Sequence, residues 1–346
     1  MNEPAFSRTP ALALPSPYLL FLGDVTDAAY AKTAFGLRDW APERCVGELS
    51  CGGGSVSAGL PKLTPEEARV RGARSLLIGV ANIGGVVAAS WIPTLIRALG
   101  AGLDIVSGMH GRLEFTPELK LAAQQHRRRL IDVRVPPPDI PVGTGRKRSG
   151  KRLLTVGTDC ALGKKYTALA IARAFRARGI DADFRATGQT GIMIAGAGIP
   201  MDAVVADFEA GAAELLSPDA AAHHWDVIEG QGSLFHPAYA AVSLGLLHGS
   251  QPDVIVVCHE VGRKSVLGNS GYALPTIDET VDLNLLLGRR TNPAIRCAGI
   301  SLNTSSLGQA EADSLIAAES ERLGVPVADP IRAGPQFRRL VDACLV

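Results

Sequence analysis

The sequence predicts an α/β protein of two domains, each built on a parallel sheet. Three observations carry that expectation. Short apolar runs alternate with helix-period segments from residue 18 to the C-terminus. The alternation breaks once, at VPPPDIPVGTGRKRSGKR, residues 135–152. The length of 346 residues suits two domains of ordinary size. Strands joined by helices pair in parallel, because each helical crossover returns the chain to the same end of the sheet, and the helices then cover both faces.

Residues 1–17 contain prolines and no basic stretch followed by an apolar core, so they read as a loose tail rather than a signal peptide. In the first domain, 18–136, strands are expected at 18–24 (YLLFLGD), 45–49, 75–80, 104–108 and 130–135. Helices are expected near 27–36, 65–72, 85–100 and 116–128. The prolines at 136–138 can continue neither a helix nor a central strand, so the boundary falls there. Residues 137–150 read as a solvated linker, whose cluster Arg146, Lys147, Arg148, Lys151 and Arg152 has contact with a phosphorylated ligand as its alternative. The second domain, 151–346, repeats the alternation. Its strands are expected at 152–156, 183–187, 226–230, 253–258, 297–302 and 326–329, and its helices at 164–178, 201–216, 277–287, 309–323 and 335–344.

Composition narrows the partners. The formal net charge is +1, which gives no global attraction to nucleic acid or an anionic membrane. No apolar run approaches the roughly 20 residues of a membrane span. The six cysteines form no CxxC and none stands at zinc spacing with a histidine, so a reduced, cytoplasmic setting is expected, with no metal.

The chemistry concentrates at TVGTDCALGKKYTALAI, residues 155–171. An apolar strand enters this loop. A helix leaves it, with Ala168, Ile171, Ala172 and Phe175 at i, i+3, i+4, i+7 spacing. Glycines let backbone N–H groups turn toward phosphate oxygens, and the helix N-terminus adds unpaired donors. Gly157, Thr158, Asp159, Cys160, Gly163, Lys164 and Lys165 are therefore the candidate phosphate-binding residues. The strict pattern G-x-x-x-x-G-K-[ST] is not met. Five residues separate Gly157 from Gly163, so Thr158 takes the first-glycine position, as in the GTDxxxGK variant that resembles dethiobiotin synthetase. Lys165 stands where a Ser or Thr hydroxyl holds Mg²⁺, and a lysine does not coordinate a cation. Thr167 lies two residues on, about 200° around the helix. Magnesium is accordingly doubtful, and phosphates that do not react suit the loop better.

Other candidates lie at predicted strand ends. Gln189 and Thr190 follow a strand in the glycine-rich run RATGQTGIMIAGAGIP, read as a loop. Asp207 and Glu214 stand on the helix expected after it. Glu229 and Gln231 end DVIEGQGSLFHP, a Walker-B-like strand with His236 close by. DVIVVCHEVGRKS ends in Cys258, His259 and Glu260 and continues to Arg263 and Lys264. Titratable groups there suit a base beside an anion site. His259 reads equally as a buried structural histidine. Cys160 reads as a small loop residue, or as a thiol whose pKa the helix N-terminus lowers. CGGGS at 51–55 and NIGG at 82–85 lack the dinucleotide fingerprint.

Together, AKTAFGLRDW, GLDIVSGMHGRL, GTDCALGKK, TGQTGIMIAGAGIPMDAVVADFEAGAAE, EGQGSLFHPAY, GSQPDVIVVCHEVGRK, ISLNTSSL and VPVADPIRAG resemble the DgcN-type D-glutamate N-acetyltransferases, from about Tyr18 to the end. The resemblance implies a Rossmann-like N-terminal domain, a P-loop NTPase-like C-terminal domain and a homo-oligomer. It implies an acyltransferase that moves acetyl from acetyl-CoA to the amine of D-glutamate. Gly157, Thr158, Asp159, Gly163 and Lys164 match the family's phosphate loop. Gln189, Asp207, Glu229, Gln231, His259, Glu260 and Arg263 match its other motifs. On this reading the loop holds CoA phosphates, and Glu229, His259 or Glu260 handles the proton. Gln189, Thr190, Gln231, Arg263, Lys264 and Arg332 hold the substrate. The alternatives are an ATP/Mg-dependent ligase resembling dethiobiotin synthetase and a non-catalytic nucleotide-binding regulator.

Overall fold

The computed structural model describes residues 13–80 and 85–346, apart from the side chain of Ala29. The expected tail up to residue 12, and residues 82–84 of NIGG, lie outside the described residues. The chain forms two units, Met1–Pro137 with Gln189–Pro200, and Pro138–Gly188 with Met201–Val346.

The first unit alternates strictly: β1 (Tyr18–Gly23), α1 (Lys32–Trp40), β2 (Cys45–Ser50), α2 (Pro65–Val70), β3 (Ser75–Ile78), α3 (Ile92–Gly100), β4 (Asp104–Ser107), α4 (Pro117–His126), β5 (Leu130–Asp132). Its strands pair in parallel in the order β2-β1-β3-β4-β5. The apolar run YLLFLG is buried at every position of β1, as a strand covered on both faces must be. Thr64 and Glu67 close a capping box at the start of α2. At the end of β1 the indole of Trp91 lies against Gly23, where a Cβ would sit 2.8 Å from the ring.

The second unit holds β6 (Lys151–Gly157), α5 (Lys164–Ala177) and β7 (Ala182–Arg185). Next in sequence is α6 (Gln189–Ala195), which packs in the first unit. There follow α7 (Glu209–Leu216), β8 (Trp225–Ile228), α8 (Ala240–Ser250), β9 (Val254–Glu260), β10 (Ser265–Val266), β11 (Asn269–Ala273), α9 (Ile277–Gly288), β12 (Arg296–Asn303), α10 (Gln309–Leu323), β13 (Val327–Ala328) and α11 (Gly334–Leu345). Six strands run parallel in the order β13-β12-β9-β6-β8-β7, and β10-β11 form an antiparallel hairpin. One core face joins Leu153, Ile171, Phe175, Trp225, Val227, Val254 and Val256. Phe175 meets Trp225 edge-on at 5.3 Å between ring centroids, and burying such a ring stabilises by about 1.5–3 kcal/mol.

Beyond the later start of α3 at Ile92 and the unexpected β10-β11 hairpin, four features differ from the sequence expectation. The run read as a loop contains α6, whose Ile192, Met193 and Ile194 are buried. The helix expected at 201–216 is α-helical only from Glu209, after two 3-10 turns. The β-branched pair Val204-Val205 lies between those turns, where its stiff side chains disfavour a continuous helix. Helix α8 was not foreseen, because AAVSLGLLHGS has no polar face to mark a period. Its Gly249 packs on α7 so closely that a Cβ would collide with the Ala210 carbonyl. The supposed solvated linker ends in two buried arginines. Arg148 donates to the carbonyls of Ser217 (2.6 Å) and Gly249 (2.8 Å). Arg152 donates to Ser217 Oγ (2.7 Å) and to the carbonyls of Arg148 and Ser149 (3.0 Å each).

Candidate active site

The strand order of the second unit reverses direction between β6 and β9. β7 and β8 lie to one side, and β12 and β13 to the other. The crevice at the carboxyl ends of such a pair is where open α/β sheets bind ligands. Parallel register sets Gly157 beside Cys258, so the next residues, Thr158 and His259, emerge together. Their side chains meet at 3.0 Å between Thr158 Oγ1 and His259 Nδ1.

The phosphate loop leaves β6 and turns through two left-handed residues, Ala161 (φ 56°) and Gly163 (φ 112°). Gly163 starts α5 and no side chain caps the helix, so its first N–H groups face the loop as an anion site. Lys164 is buried, and its Nζ donates to the Asp159 carbonyl at 2.7 Å. Burial lowers its pKa, partly offset by Cys160, Cys258, Asp159 and Glu229. Lys164 crosses Gly230, whose backbone touches β6; a Cβ there would collide with the Thr155 carbonyl. Only glycine fits beneath the lysine.

Glu229 is buried at the end of β8. Its Oε2 accepts the N–H groups of Thr187 and Gly188, both at 3.0 Å. Among the described residues its Oε1 has no hydrogen-bond donor. Burial raises the carboxyl pKa, and Lys165, the backbone donors and Lys164 oppose the rise. Thr187, which the sequence reading did not single out, donates to the Glu229 carbonyl (2.6 Å) and accepts from Gln231 Nε2 (2.9 Å). Its signal was its position at the end of a predicted strand.

Asp159 is fully buried and used within the protein. It accepts from the Cys160 N–H (2.7 Å), Arg263 Nη1 (3.0 Å) and the Leu267 N–H (2.8 Å). Arg263 also donates to the Cys160 carbonyl (2.7 Å) and pairs with Glu260. These residues tie the loop to the β10-β11 hairpin. Burial pushes the Cys160 thiol pKa up, the opposite of activation by the helix N-terminus. Arg332 donates to Thr304 Oγ1 (2.7 Å), Gln309 Oε1 (2.9 Å) and the carbonyls of Thr304 (2.9 Å) and Leu307 (2.7 Å). Lys264 is exposed, and among the described residues its ammonium has no partner. Gln189 and Thr190 are placed in the first unit. The Gln189 amide lies between the Gly108 carbonyl and Arg134 Nη2, and Thr190 Oγ1 meets Thr33 Oγ1 at 3.0 Å.

The P-loop fold implies Mg²⁺, and the donors present do not fit it. Lys165 occupies the hydroxyl position, half-buried, with its Nζ 4.4 Å from the centre of the Tyr166 ring. Thr167 Oγ1 is turned to Ser301 Oγ at 2.8 Å. Glu229, the Walker-B acid, already holds two N–H groups on one oxygen. Asp159, Cys160 and His236 bring ligand-type atoms within 4.8 Å of one another. However, His236 Nδ1 accepts the N–H groups of Ala238 (3.1 Å) and Tyr239 (3.2 Å). That places the proton of the neutral ring on Nε2 and leaves no lone pair there for a metal.

Comparison with known proteins adds four findings. The family described as Domain of unknown function (DUF1611_C) P-loop domain matches residues 141–341, and its DUF1611_N Rossmann-like domain matches 45–136. A Pseudoalteromonas sp protein named D-glutamate N-acetyltransferase is 49% identical over 323 residues, 93% of this chain and 97% of its own. One of the same name from Tritonibacter scottomollicae is 48% identical over 330 residues, 95% and 98%. A solved DUF1611 family protein from Anabaena variabilis superposes with a TM-score of 0.83 at 32% identity, over 95% of this chain and 99% of that one.

Proposed function

The chain belongs to the DUF1611 family, and on that premise we propose that it is a D-glutamate N-acetyltransferase drawing its acetyl group from acetyl-CoA. The observation that carries the reaction is the 49% identity along 93% of the chain to a relative of that name. The loop geometry supports the donor. It offers helix N–H groups and the amines of Lys164 and Lys165, the latter in place of the hydroxyl that a metal needs. CoA phosphates stay intact during acetyl transfer, so no cation has to bridge a leaving phosphate. An ATP-dependent ligase on this loop lacks that bridge. The six unpaired cysteines fit a reducing, cytoplasmic setting.

In the reaction the D-glutamate ammonium gives one proton to Glu229 Oε1. Burial suits this carboxylate to the role, because a base works best with its pKa raised toward the working pH. The freed nitrogen attacks the thioester carbonyl carbon and forms the C–N bond. The oxyanion collapses, the C–S bond breaks, and one of the two protons left on nitrogen passes to the CoA thiolate, leaving the amide N–H. Lys264, exposed and without a partner among the described residues, attracts a substrate carboxylate, while Arg263 holds the loop.

The test follows thiol release with acetyl-CoA across D- and L-amino acids, with Mg-ATP as a parallel arm. Release with D-glutamate and no phosphate from ATP is expected. Absence of thiol release with every amino acid in the panel would overturn the reaction. An unchanged acetyl-CoA KM in Lys164→Ala would overturn the role of the loop.

A further inference from the structure

We propose that His259 acts as a neutral hydrogen-bond donor through Nε2, not as a base, and that Thr158 is the positioning residue that fixes this tautomer. The inference rests on the acetyltransferase reading above, and it starts from one bond. Thr158 Oγ1 and His259 Nδ1 lie 3.0 Å apart. A hydroxyl has one proton and a neutral imidazole has one N–H, so two arrangements are possible. In one, Nδ1–H donates to the hydroxyl and Nε2 is a bare base. In the other, the hydroxyl donates to Nδ1 and Nε2 carries the proton.

Satisfaction of buried groups decides between them. Thr158 is fully buried, and among the described residues its hydroxyl has no hydrogen-bond partner except His259 Nδ1. Were the hydroxyl to accept from Nδ1, its own proton would be left buried without an acceptor, at a cost of about 1–3 kcal/mol. Donation to Nδ1 leaves nothing orphaned, so Nε2 bears the hydrogen. The ring is also kept neutral, because burial lowers its pKa and the Arg263 charge adds to that, against Glu319 and Glu260. A neutral Nε2–H at the mouth of β9, one residue past the strand position that registers with Gly157, suits the oxygen of a polarised thioester carbonyl. It leaves deprotonation of the amine to Glu229.

Four variants and one spectrum test this. His259→Gln keeps an N–H donor near the Nε2 position but cannot take a proton. His259→Ala keeps neither. The expected kcat falls within about 10-fold of wild type for Gln and about 10²–10³-fold below it for Ala. Thr158→Val should lower kcat several-fold with the acetyl-CoA KM unchanged, and Thr158→Ser should restore it. ¹⁵N-histidine NMR of the full chain, with the His259 signals assigned by their loss in His259→Gln, should show Nε2 protonated in wild type and a mixture in Thr158→Val. A bare Nε2 in wild type, or a Gln variant as inactive as Ala, would overturn the proposal. A raised acetyl-CoA KM in Thr158→Val with the tautomer unchanged would also overturn it, making Thr158 a phosphate contact. The spectrum needs no turnover, so wild type that shows the expected tautomer but acetylates no amino acid would sink the acetyltransferase reading instead.

Discussion

The second unit buries charge at both ends of one sheet, and the two ends differ in how the charge is used. At the amino ends of the strands, Arg148 and Arg152 spend most of their guanidinium N–H groups on carbonyls and on Ser217, while Arg148 Nη1 makes no hydrogen bond among the described residues and lies 3.7 Å from Glu214. Asp226 is held there by Ser217 Oγ (2.6 Å) and His224 (3.2 Å). At the carboxyl ends, among the described residues, one Glu229 oxygen has no donor, Lys164 bonds one carbonyl, and no side chain caps the first N–H groups of α5. Buried charge alone therefore does not mark a site in this fold. Charge whose hydrogen-bonding capacity is left open, beside a strand-order reversal, does.

The sharpest way to break that contrast is at Glu229. Glu229→Gln should keep the two backbone hydrogen bonds to an oxygen and lose the base. The expected fall in kcat is about 10²–10⁴-fold, the range for a positioned general base, with the acetyl-CoA KM little changed. The same variant reads out pH. Burial raises the folded-state pKa of this carboxyl above the ordinary glutamate value of about 4.3. The folded protein thus holds that proton more tightly than the unfolded chain. The stabilisation is present in full below about pH 4.3 and is lost as pH rises through the raised folded value. Denaturant unfolding between pH 4 and 8 should show wild type losing stability relative to Glu229→Gln as pH rises. Parallel pH curves would mean that the carboxyl does not titrate as its burial dictates.

Next in size is Arg152→Met at the opposite end. It removes a fully buried guanidinium and leaves Ser217 Oγ and the carbonyls of Arg148, Ser149 and Pro218 without that donor. A loss of about 3–5 kcal/mol in unfolding free energy is expected, with acetyl-CoA KM unchanged in the folded fraction. A KM effect larger than the stability effect would merge the two ends into one functional network. Lys164→Ala inverts the pattern. It deletes a charge-assisted contact worth about 1.5–3 kcal/mol, so acetyl-CoA KM should rise about 10- to 100-fold. Folding stability should change little, since the buried ammonium is itself penalised by desolvation.

Much of this architecture is legible in sequence, and the gaps have physical causes. The strands β1, β6 and β9 announce themselves because their centres are covered on both faces and carry the apolar runs YLLFL, LL and VIVVC. The phosphate loop is legible because strand, glycines, lysine and helix are contiguous. Helix α8 escaped because glycines at a close crossing erase its period. The linker arginines escaped because composition cannot distinguish a solvated cation from one that bonds buried carbonyls. Thr158 and His259 were each visible, yet their bond spans 101 positions and exists only through the register of β6 and β9. The packing of α6 in the first unit was likewise hidden, because a glycine-rich run with a short apolar centre carries no helix stop or start.

The smallest predicted effects sharpen the rule best, because they separate two cations that sequence reading treated alike. Arg332 and Lys264 both carry positive charge near the carboxyl ends, and both suited a substrate carboxylate. Arg332 has its donors committed to Thr304, Leu307 and Gln309, whereas Lys264 is exposed and has no partner among the described residues. If open capacity is what marks function, Arg332→Gln should leave the D-glutamate KM within about 2-fold and lower stability by about 1–2 kcal/mol, the scale of one or two hydrogen bonds. Lys264→Ala should do the reverse. An exposed ion pair contributes only a fraction of a kcal/mol to about 1 kcal/mol, so the D-glutamate KM should rise about 2- to 5-fold, less so at high salt, with unfolding unchanged. A larger KM effect at Arg332 than at Lys264 would show that a satisfied guanidinium can still be recruited by substrate, and that open capacity is not the mark of this site.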